Sequence, residues 1–263
     1  MTGLADRCWP AQRVIYDATY EFDPPAGAMT LQFILRPLPR PGQTARGIRI
    51  ATVPDCQTRR LETDTYGVVV ETASIAHPLR RLQVNADWTV ETVPGAALPL
   101  IAPRGEDLST SDGPAAPLRE LAHAEGLDRI RLAASGWIYD LRLPPAIRPL
   151  ATLYQERRGG CEDVARLCAD ALRRQGVPVR FVVGYRGSRD ASAARRHRRH
   201  AWLAIWSRDR GWSEIDPLNP DDDTPLLATA WGPALATLQP VTGTFASGKV
   251  KRLAVTVQVI PLG

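Results

Sequence analysis

The sequence predicts an α+β fold in which an N-terminal antiparallel β-sandwich precedes a domain with one long helix and an antiparallel sheet. Two observations predict it. Short β-branched runs separated by turn residues fill the first hundred positions, whereas residues 161–175 carry apolar side chains at helical spacing. A stretch rich in Pro, Gly, Ser and Asp lies between them and indicates a connection. We therefore predict a β-sandwich over 1–100, a linker over 101–116 and a core domain over 117–263.

The strands of the predicted sandwich are runs rich in β-branched and aromatic residues, and about seven are expected in such a fold. The run that begins at Met29 ends in prolines, which cannot continue a central strand. Asn85, Ala86 and Asp87 separate two further runs and favour a hairpin there. The other predicted strands occupy 14–22, 47–53, 66–72, 79–84 and 88–93.

The second domain starts with helical patterns and ends with strands. Residues 117–137 suit one or two helices, and a short helix is predicted over 146–155. Gly159 and Gly160 open the long helix, which Gly176 and Pro178 terminate. Strand-like runs follow at 179–185, 200–206, 211–215 and 250–260.

Composition and charge exclude several classes of protein. With 263 residues and 44% hydrophobic residues, the chain can bury a core without disulfides or metals. The net charge is +5, but the arginines are scattered except at 195–199, so we expect no nucleic-acid partner. No run of about 18 apolar residues exists, so no membrane interaction is predicted. The N-terminus lacks the apolar segment of a secretory signal, which favours a cytoplasmic location.

The four cysteines, Cys8, Cys56, Cys161 and Cys168, form no CxxC pair and have no metal-ligand spacing. We therefore predict no metal and no cofactor. Asp221 and its two following aspartates are interpreted as a solvated acidic loop. Cys168 lies two helical turns beyond Cys161, about 10 Å along the axis, and is assigned to the core.

Cys161 is the candidate nucleophile. It stands at the start of the predicted helix, where unpaired N–H groups and the positive end of the helix dipole favour thiolate over thiol. The same N–H groups can bind an oxyanion in acyl transfer.

His200 and Asp216 are the candidate partners of this cysteine. His200 begins the strand HAWLAIW, and Asp216 ends the strand GWSEI, where the following proline forces an extended backbone. A hairpin across residues 208–210 brings the aspartate back towards the histidine, where it can orient the imidazole. His197 is a poorer base because it lies among arginines. The order of nucleophile, base and orienting residue meets the needs of cysteine chemistry.

These segments carry a resemblance to a known family. GGCEDVARLCADALRRQGVPVRFVVGY, then HAWLAIW, then GWSEIDPLNP resembles the transglutaminase-like superfamily of papain-like cysteine enzymes. The N-terminal half, with VIYDATYEFDPP, RPLPRPG and DTYG, looks like the β-domain of bacterial transglutaminase-like proteins. The resemblance implies Cys161 as nucleophile, His200 as general base and acid, and Asp216 as orienting residue.

The resemblance leaves the side chain that binds the oxyanion open among Gln155, Tyr154 and Tyr139. Papain-like enzymes often use a glutamine shortly before the cysteine, which favours Gln155. Trp202 is a candidate for shielding the His–Asp hydrogen bond from water, although a core tryptophan explains it equally well.

Three functions are consistent with these residues. The preferred one is an amidase or peptidase that acts on a peptide or protein substrate through a thioester. A transglutaminase that transfers the acyl group to an amine would use the same triad. The third is a non-catalytic binding module. The basic loop 186–199 is expected to border the cleft and to favour acidic substrates, or to be a solvated loop.

Overall fold

A computed structural model describes residues 9–93, 98–110, 130, 134–140, 148–188, 195–222 and 224–262. The predicted α+β fold is confirmed: a β-sandwich precedes a small sheet covered by a helix. In chain order the strands are β1 (Gln12–Ala26), β2 (Met29–Phe33), β3 (Gln43–Val53), β4 (Thr58–Thr63), β5 (Val69–Ile75), β6 (Leu79–Thr92), β7 (Ile138–Tyr139), β8 (Arg158–Gly159), β9 (Val179–Arg186), β10 (Arg195–His197), β11 (His200–Ser207), β12 (Gly211–Ile215), β13 (Leu226–Gly232), β14 (Val241–Phe245) and β15 (Val250–Pro261).

Two α-helices have defined bounds within the described residues, and the second is the long helix that the sequence predicts. They are α1 (Leu150–Glu156) and α2 (Cys161–Arg173), with 3-10 turns at Gly105–Leu108 and Leu235–Leu238. Most of the helical region predicted over 117–137 lies outside the described residues, although Ile130 and Ala134 are helical. Among the helices that the structure describes, none is long and apolar enough to cross a membrane.

The sandwich consists of a five-stranded and a four-stranded antiparallel sheet. The first has the order β10-β15-β1-β6-β3 and the second the order β14-β2-β5-β4. Alternate side chains of both sheets meet in one apolar core, which includes Phe33, Ile75 and Trp88. The large buried rings and β-branched residues that predicted strands in the sequence therefore fill the space between the sheets.

The hairpin predicted at Asn85, Ala86 and Asp87 is wrong, because β6 runs straight through these residues. Ala86 is buried and continues the inward alternation between Val84 and Trp88. Asn85 and Asp87 point outward, and the Asp87 carboxylate binds the guanidinium of Arg13 on β1. The inward–outward alternation of side chains along β6 is thus unbroken. The polar side chains that suggested a turn bind partners on β1.

The C-terminal end of the chain differs from the predicted core domain of 117–263. Strand β15 pairs with β1 along nearly its whole length, and β14 pairs with β2. The last two strands therefore belong to the sandwich. Strand pairing depends on the tertiary structure, because the residue pattern of one strand does not predict which strand it pairs with.

The predicted linker, 101–116, is built into the core over its described part. The Asp107 carboxylate accepts two hydrogen bonds from Arg180, at 3.0 and 2.9 Å, and both side chains are fully buried. The Arg180 guanidinium also lies over the rings of Trp212 and Trp231, 4.3 and 4.4 Å from their centroids. This buried ion pair fixes the connection to strand β9.

The core sheet has the antiparallel order β12-β11-β9-β13, and α2 packs on β9 and β11. The buried face of α2 includes Val164, Leu167, Cys168 and Leu172, so Cys168 is a core residue as predicted. This packing places the first turn of α2 beside the first residue of β11.

Candidate active site

Cys161 is the first residue of α2, and its surroundings fix that helix end. Gly160 N–H donates to Asp163 Oδ2 at 3.1 Å, and the guanidinium of Arg148 binds the same carboxylate at 3.0 Å. A Cβ at Gly159 would overlap the side chains of Arg148 and Asp163, so only glycine fits there. The thiol is buried, and its Sγ lies 3.8 Å from the carbonyl oxygen of Arg199.

His200 and Asp216 meet through the β11–β12 hairpin, whose register pairs Leu203 with Ile215. His200 Nε2 lies 2.7 Å from Asp216 Oδ2, and both residues are buried. His200 also interacts with Cys161, and hydrogen bonding to the thiol helps to raise the pKa of the imidazole. The structure thus brings the three predicted residues together from α2, β11 and the end of β12.

The surroundings of His200 favour its protonated form. Burial lowers the pKa of His200, but hydrogen bonds and charge interactions with Asp216 and Cys161 outweigh it and raise the pKa to about 9. Burial raises the pKa of Asp216, yet the hydrogen bond from His200 and other contacts lower it overall. The site therefore stabilises an imidazolium beside a carboxylate, the arrangement that supports a cysteine thiolate.

Asp216 is held in place by its own turn. The backbone N–H of Leu218 donates to Oδ1 at 3.1 Å, and the amide of Asn219 donates to Oδ2 at 3.0 Å. Arg186 Nε lies 4.0 Å from Oδ2, and the Arg186 guanidinium also binds Asp222. These contacts fix the orientation of the carboxylate that binds His200 Nε2.

The three candidates for an oxyanion side chain lie in different places. Tyr139 is on β7, which pairs in parallel with β8 immediately before Cys161. Burial, followed by the interaction with Cys161, raises the pKa of Tyr139. Its strand partner is Gly159, two residues before Cys161. The Tyr154 hydroxyl instead lies 3.3 Å from Asp170 Oδ2, far along α2, and Gln155 is exposed on α1.

Trp202 lies directly against the histidine. Its ring is fully buried and stacks on the imidazole with centroids 5.9 Å apart and an interplanar angle of 22°. Its Nε1–H donates to Glu214 Oε1 at 2.8 Å. Trp202 therefore covers one face of His200, as a shielding residue would.

Comparison with known proteins identifies the family of both parts of the chain. The transglutaminase-like superfamily matches residues 119–217, and the bacterial transglutaminase-like N-terminal region matches residues 12–91. The chain belongs to the transglutaminase-like superfamily. Both matches fall where the sequence motifs and the two parts of the fold lie.

Individual relatives of this transglutaminase-like protein cover different parts of it. Uncharacterized protein ML0607 of Mycobacterium leprae is 26% identical over 95% of this chain and 98% of its own length. A protein-glutamine gamma-glutamyltransferase of Pseudomonas aeruginosa is 34% identical over 25% of this chain, which spans only 10% of that relative. The crystal structure of a candidate cysteine protease from Cytophaga hutchinsonii superposes with a TM-score of 0.72 at 15% identity, over 98% of this chain and 93% of that one.

An ion pair links the residue that follows Cys161 to the residue that precedes His200. Glu162 follows Cys161, Arg199 precedes His200, and the Glu162 carboxylate binds the Arg199 guanidinium. Arg199 Nη1 also donates to the carbonyl of Leu238 at 2.7 Å. The start of α2 is therefore tied to the start of β11 beside the site.

Sequence reasoning missed three residues of this transglutaminase-like site. Asn219 and Arg186 contact Asp216, and Glu214 binds Trp202. Glu214 carried one detectable signal, since the strand period of two places it on the same face as Asp216. Within the described part of the chain, no group of three or more His, Cys, Asp or Glu residues is placed to hold a metal ion.

Proposed function

We propose that this protein is a cysteine-nucleophile acyl-transfer enzyme that hydrolyses amide or peptide bonds through a thioester. The observation that carries the proposal is His200, buried between Asp216 Oδ2 at 2.7 Å and the thiol of Cys161. Because Nε2 binds Asp216, Nδ1 is the ring nitrogen that exchanges a proton with the thiol.

The reaction divides into two balanced halves. The Cys161 thiolate attacks the carbonyl carbon, so a C–S bond forms and the carbonyl π electrons move to oxygen. As that pair returns, the C–N bond breaks, and the His200 imidazolium donates its proton to the leaving amine. Water then attacks the thioester and gives its proton to His200. The C–S bond breaks, which releases a carboxylic acid and restores the thiolate–imidazolium pair.

The oxyanion formed in each half needs hydrogen-bond donors. The backbone N–H of Cys161 is available because first-turn N–H groups have no partner within a helix. Of the three candidate side chains, we propose Tyr139 as the second donor, since strand β7 pairs it with Gly159, two residues before the nucleophile. Two such donors in a site shielded from water account for a large part of the rate enhancement in acyl transfer.

We propose a peptide or protein as substrate. Arg198 is exposed and contributes positive charge at Tyr139, whereas the charge of Arg186 is paired with Asp216 and Asp222. This charge favours substrates with acidic side chains close to the scissile bond.

A second candidate function is transfer of the acyl group to a primary amine. The matched Pseudomonas aeruginosa relative, a protein-glutamine gamma-glutamyltransferase, favours it. The two reactions differ only in whether water or an amine attacks the thioester.

The products distinguish these functions. The purified protein is incubated with a peptide library in ¹⁸O-water, with and without a primary amine, and Cys161→Ala is the control. Hydrolysis adds ¹⁸O to new carboxyl groups, whereas transfer adds the mass of the amine. If the wild-type protein forms neither product, and labelling of Cys161 follows an ordinary thiol titration, a binding module is supported instead.

A further inference from the structure

A segment of the sandwich, residues 36–43, reaches across to the core sheet. We call it the docking segment; its sequence is RPLPRPGQ. The Arg40 side chain is 1% exposed and donates to Glu214 Oε2 at 2.6 Å and to the carbonyl of Leu226 at 2.8 Å. An arginine of the N-terminal domain thus binds a carboxylate on β12 and the first residue of β13.

The docking segment is fixed on both sides of Arg40. Leu38 N–H donates to the carbonyl of Ala228 at 2.8 Å. The buried Gln43 amide donates to the carbonyls of Leu38 and Ala228 and accepts the N–H of Ala228 at 3.2 Å. Arg40 is therefore held by its backbone as well as by its side chain, and its guanidinium has little freedom to move.

Glu214 connects Arg40 to the candidate active site. One carboxylate oxygen accepts from Arg40, and the other accepts from Trp202 Nε1 at 2.8 Å. The Trp202 ring in turn stacks on His200. The contacts run without a gap from Arg40 through Glu214 and Trp202 to the imidazole.

Charge makes this connection strong. A hydrogen bond between two charged groups is about twice as strong as one between neutral groups, and the 2.6 Å contact with Arg40 orients the Glu214 carboxylate. The oriented carboxylate fixes the plane of the Trp202 ring. A fixed ring excludes water from one face of His200, and water exclusion strengthens the His200–Asp216 hydrogen bond.

We propose that Arg40 is a positioning residue for His200, which it orients through Glu214 and Trp202, so that the N-terminal domain completes the active site. This inference rests on the proposed function. It gives the sandwich a direct role in the reaction rather than a separate binding task.

The charged groups around His200 come from three elements. Cys161 faces it from α2 and Asp216 from the end of β12, while Arg186 on β9 lies beside Asp216. None of these is bonded to Arg40, whose partners are Glu214 and Leu226. A change at Arg40 therefore reaches His200 through Trp202.

The test measures the rate of iodoacetamide alkylation of Cys161 against pH, with the modified peptide identified by mass spectrometry. In Arg40→Met, we expect the acid midpoint of the profile to rise by about 0.7 pH units, so that the rate at pH values well below the midpoint falls about fivefold. Arg40→Lys keeps the charge but loses the forked pair of N–H donors, so its midpoint should lie between those of wild type and Arg40→Met.

The matched control is Arg59→Met. Arg59 donates to the buried Glu71 at 2.6 Å, away from the core sheet. Glu71 also binds Arg36, so this variant disturbs the docking segment without removing Arg40. It should lower the melting temperature without moving the alkylation profile. If Arg40→Met does not fold, the alkylation profile of Arg40→Lys tests the inference in its place. Wild-type profiles in folded Arg40 variants, or an Arg59→Met profile that moves equally, would overturn the inference.

Trp202→Phe tests the route. It keeps an aromatic ring over His200 but removes the N–H that Glu214 accepts. If Arg40 acts through Trp202, adding Arg40→Met to Trp202→Phe should shift the profile no further. Additive shifts would mean that Arg40 acts by another path. A wild-type profile that follows an ordinary thiol titration would instead contradict the proposed function, so the two failures are distinguishable.

Discussion

His200 Nε2 lies 2.7 Å from Asp216 Oδ2, although the two residues are 16 positions apart. One begins strand β11 and the other follows strand β12, so the hairpin between them closes the distance. Asp216 also accepts from Leu218 and Asn219, which leaves its carboxylate little freedom to turn away. The orientation of the imidazole is therefore set by a local hairpin and turn, and the thiol is supplied from outside that hairpin by α2.

The role of Cys161 is tested by removing its sulfur. Cys161→Ala should abolish acyl transfer while changing the free energy of unfolding by only about 1 kcal/mol, since little volume is lost. Peptide-cleavage assays and urea unfolding measure the two effects. Cys168→Ala is the matched control because Cys168 is fully buried on the same helix. It should lose stability and keep activity; the reverse pattern would reassign the nucleophile.

The imidazolium depends on Asp216. Burial alone lowers the pKa of His200, and Asp216 is the first of the groups that raise it to about 9. In Asp216→Asn, we expect the pKa of His200 to fall towards or below its ordinary value and turnover to drop steeply. An NMR titration of the His200 ring, assigned with His200→Gln, measures this. A pKa that stays near 9 would show that another group holds the proton.

Stability should depend on pH through the same pair. The pKa of His200 is raised from 6.5 to about 9 on folding, so its charged form contributes stability that is fully present below about pH 6.5. That contribution is lost as the pH rises to about 9. The difference in the free energy of unfolding between wild type and His200→Gln should shrink over this range. Urea unfolding at several pH values checks it, and a difference independent of pH would contradict it.

Tyr139 and Tyr154 form a matched pair for the oxyanion assignment. Tyr139→Phe should lower turnover about a hundredfold, because one oxyanion donor is lost, and leave alkylation of Cys161 unchanged. The Tyr154 hydroxyl binds Asp170, so Tyr154→Phe should keep turnover near wild type. Steady-state kinetics with one peptide substrate compares the variants. Equal losses in both would remove Tyr139 from the oxyanion site.

The two glycines before the nucleophile should respond differently to alanine. A methyl group at Gly159 would displace Arg148 and Asp163, which hold the start of α2, whereas a methyl group at Gly160 meets open space. We expect Gly159→Ala to slow both alkylation and turnover, and Gly160→Ala to keep most of both. Comparable losses would mean that backbone freedom, rather than space, sets the requirement.

The buried ion pair of Arg180 and Asp107 should control stability. Arg180→Met leaves the Asp107 carboxylate buried without its charged partner, which we expect to cost about 3–5 kcal/mol. Adding Asp107→Leu removes the unpaired charge and should restore part of the loss. Thermal and urea unfolding measure both. A single variant as stable as wild type would show that water reaches Asp107.

Local patterns predicted the elements that carry the candidate site. The start of α2 at Cys161, the strand that begins at His200 and the strand end at Asp216 each follow from neighbouring residues: a glycine pair, an alternating run and a proline. The hairpin between the last two was predictable because only residues 208–210 separate them. Local reasoning failed at Asn85 and Asp87, where cross-strand partners stabilise polar side chains in the middle of β6.

The sequence by itself determined the α+β class, the family and the helix and strands that carry Cys161, His200 and Asp216, because each depends on residues close together in the chain. Only the tertiary structure decided which strands pair, that β15 joins β1, and that Arg40 reaches Glu214 across 174 positions. Such long-range contacts depend on how the sheets pack and on which buried charges find partners. No local pattern encodes that information.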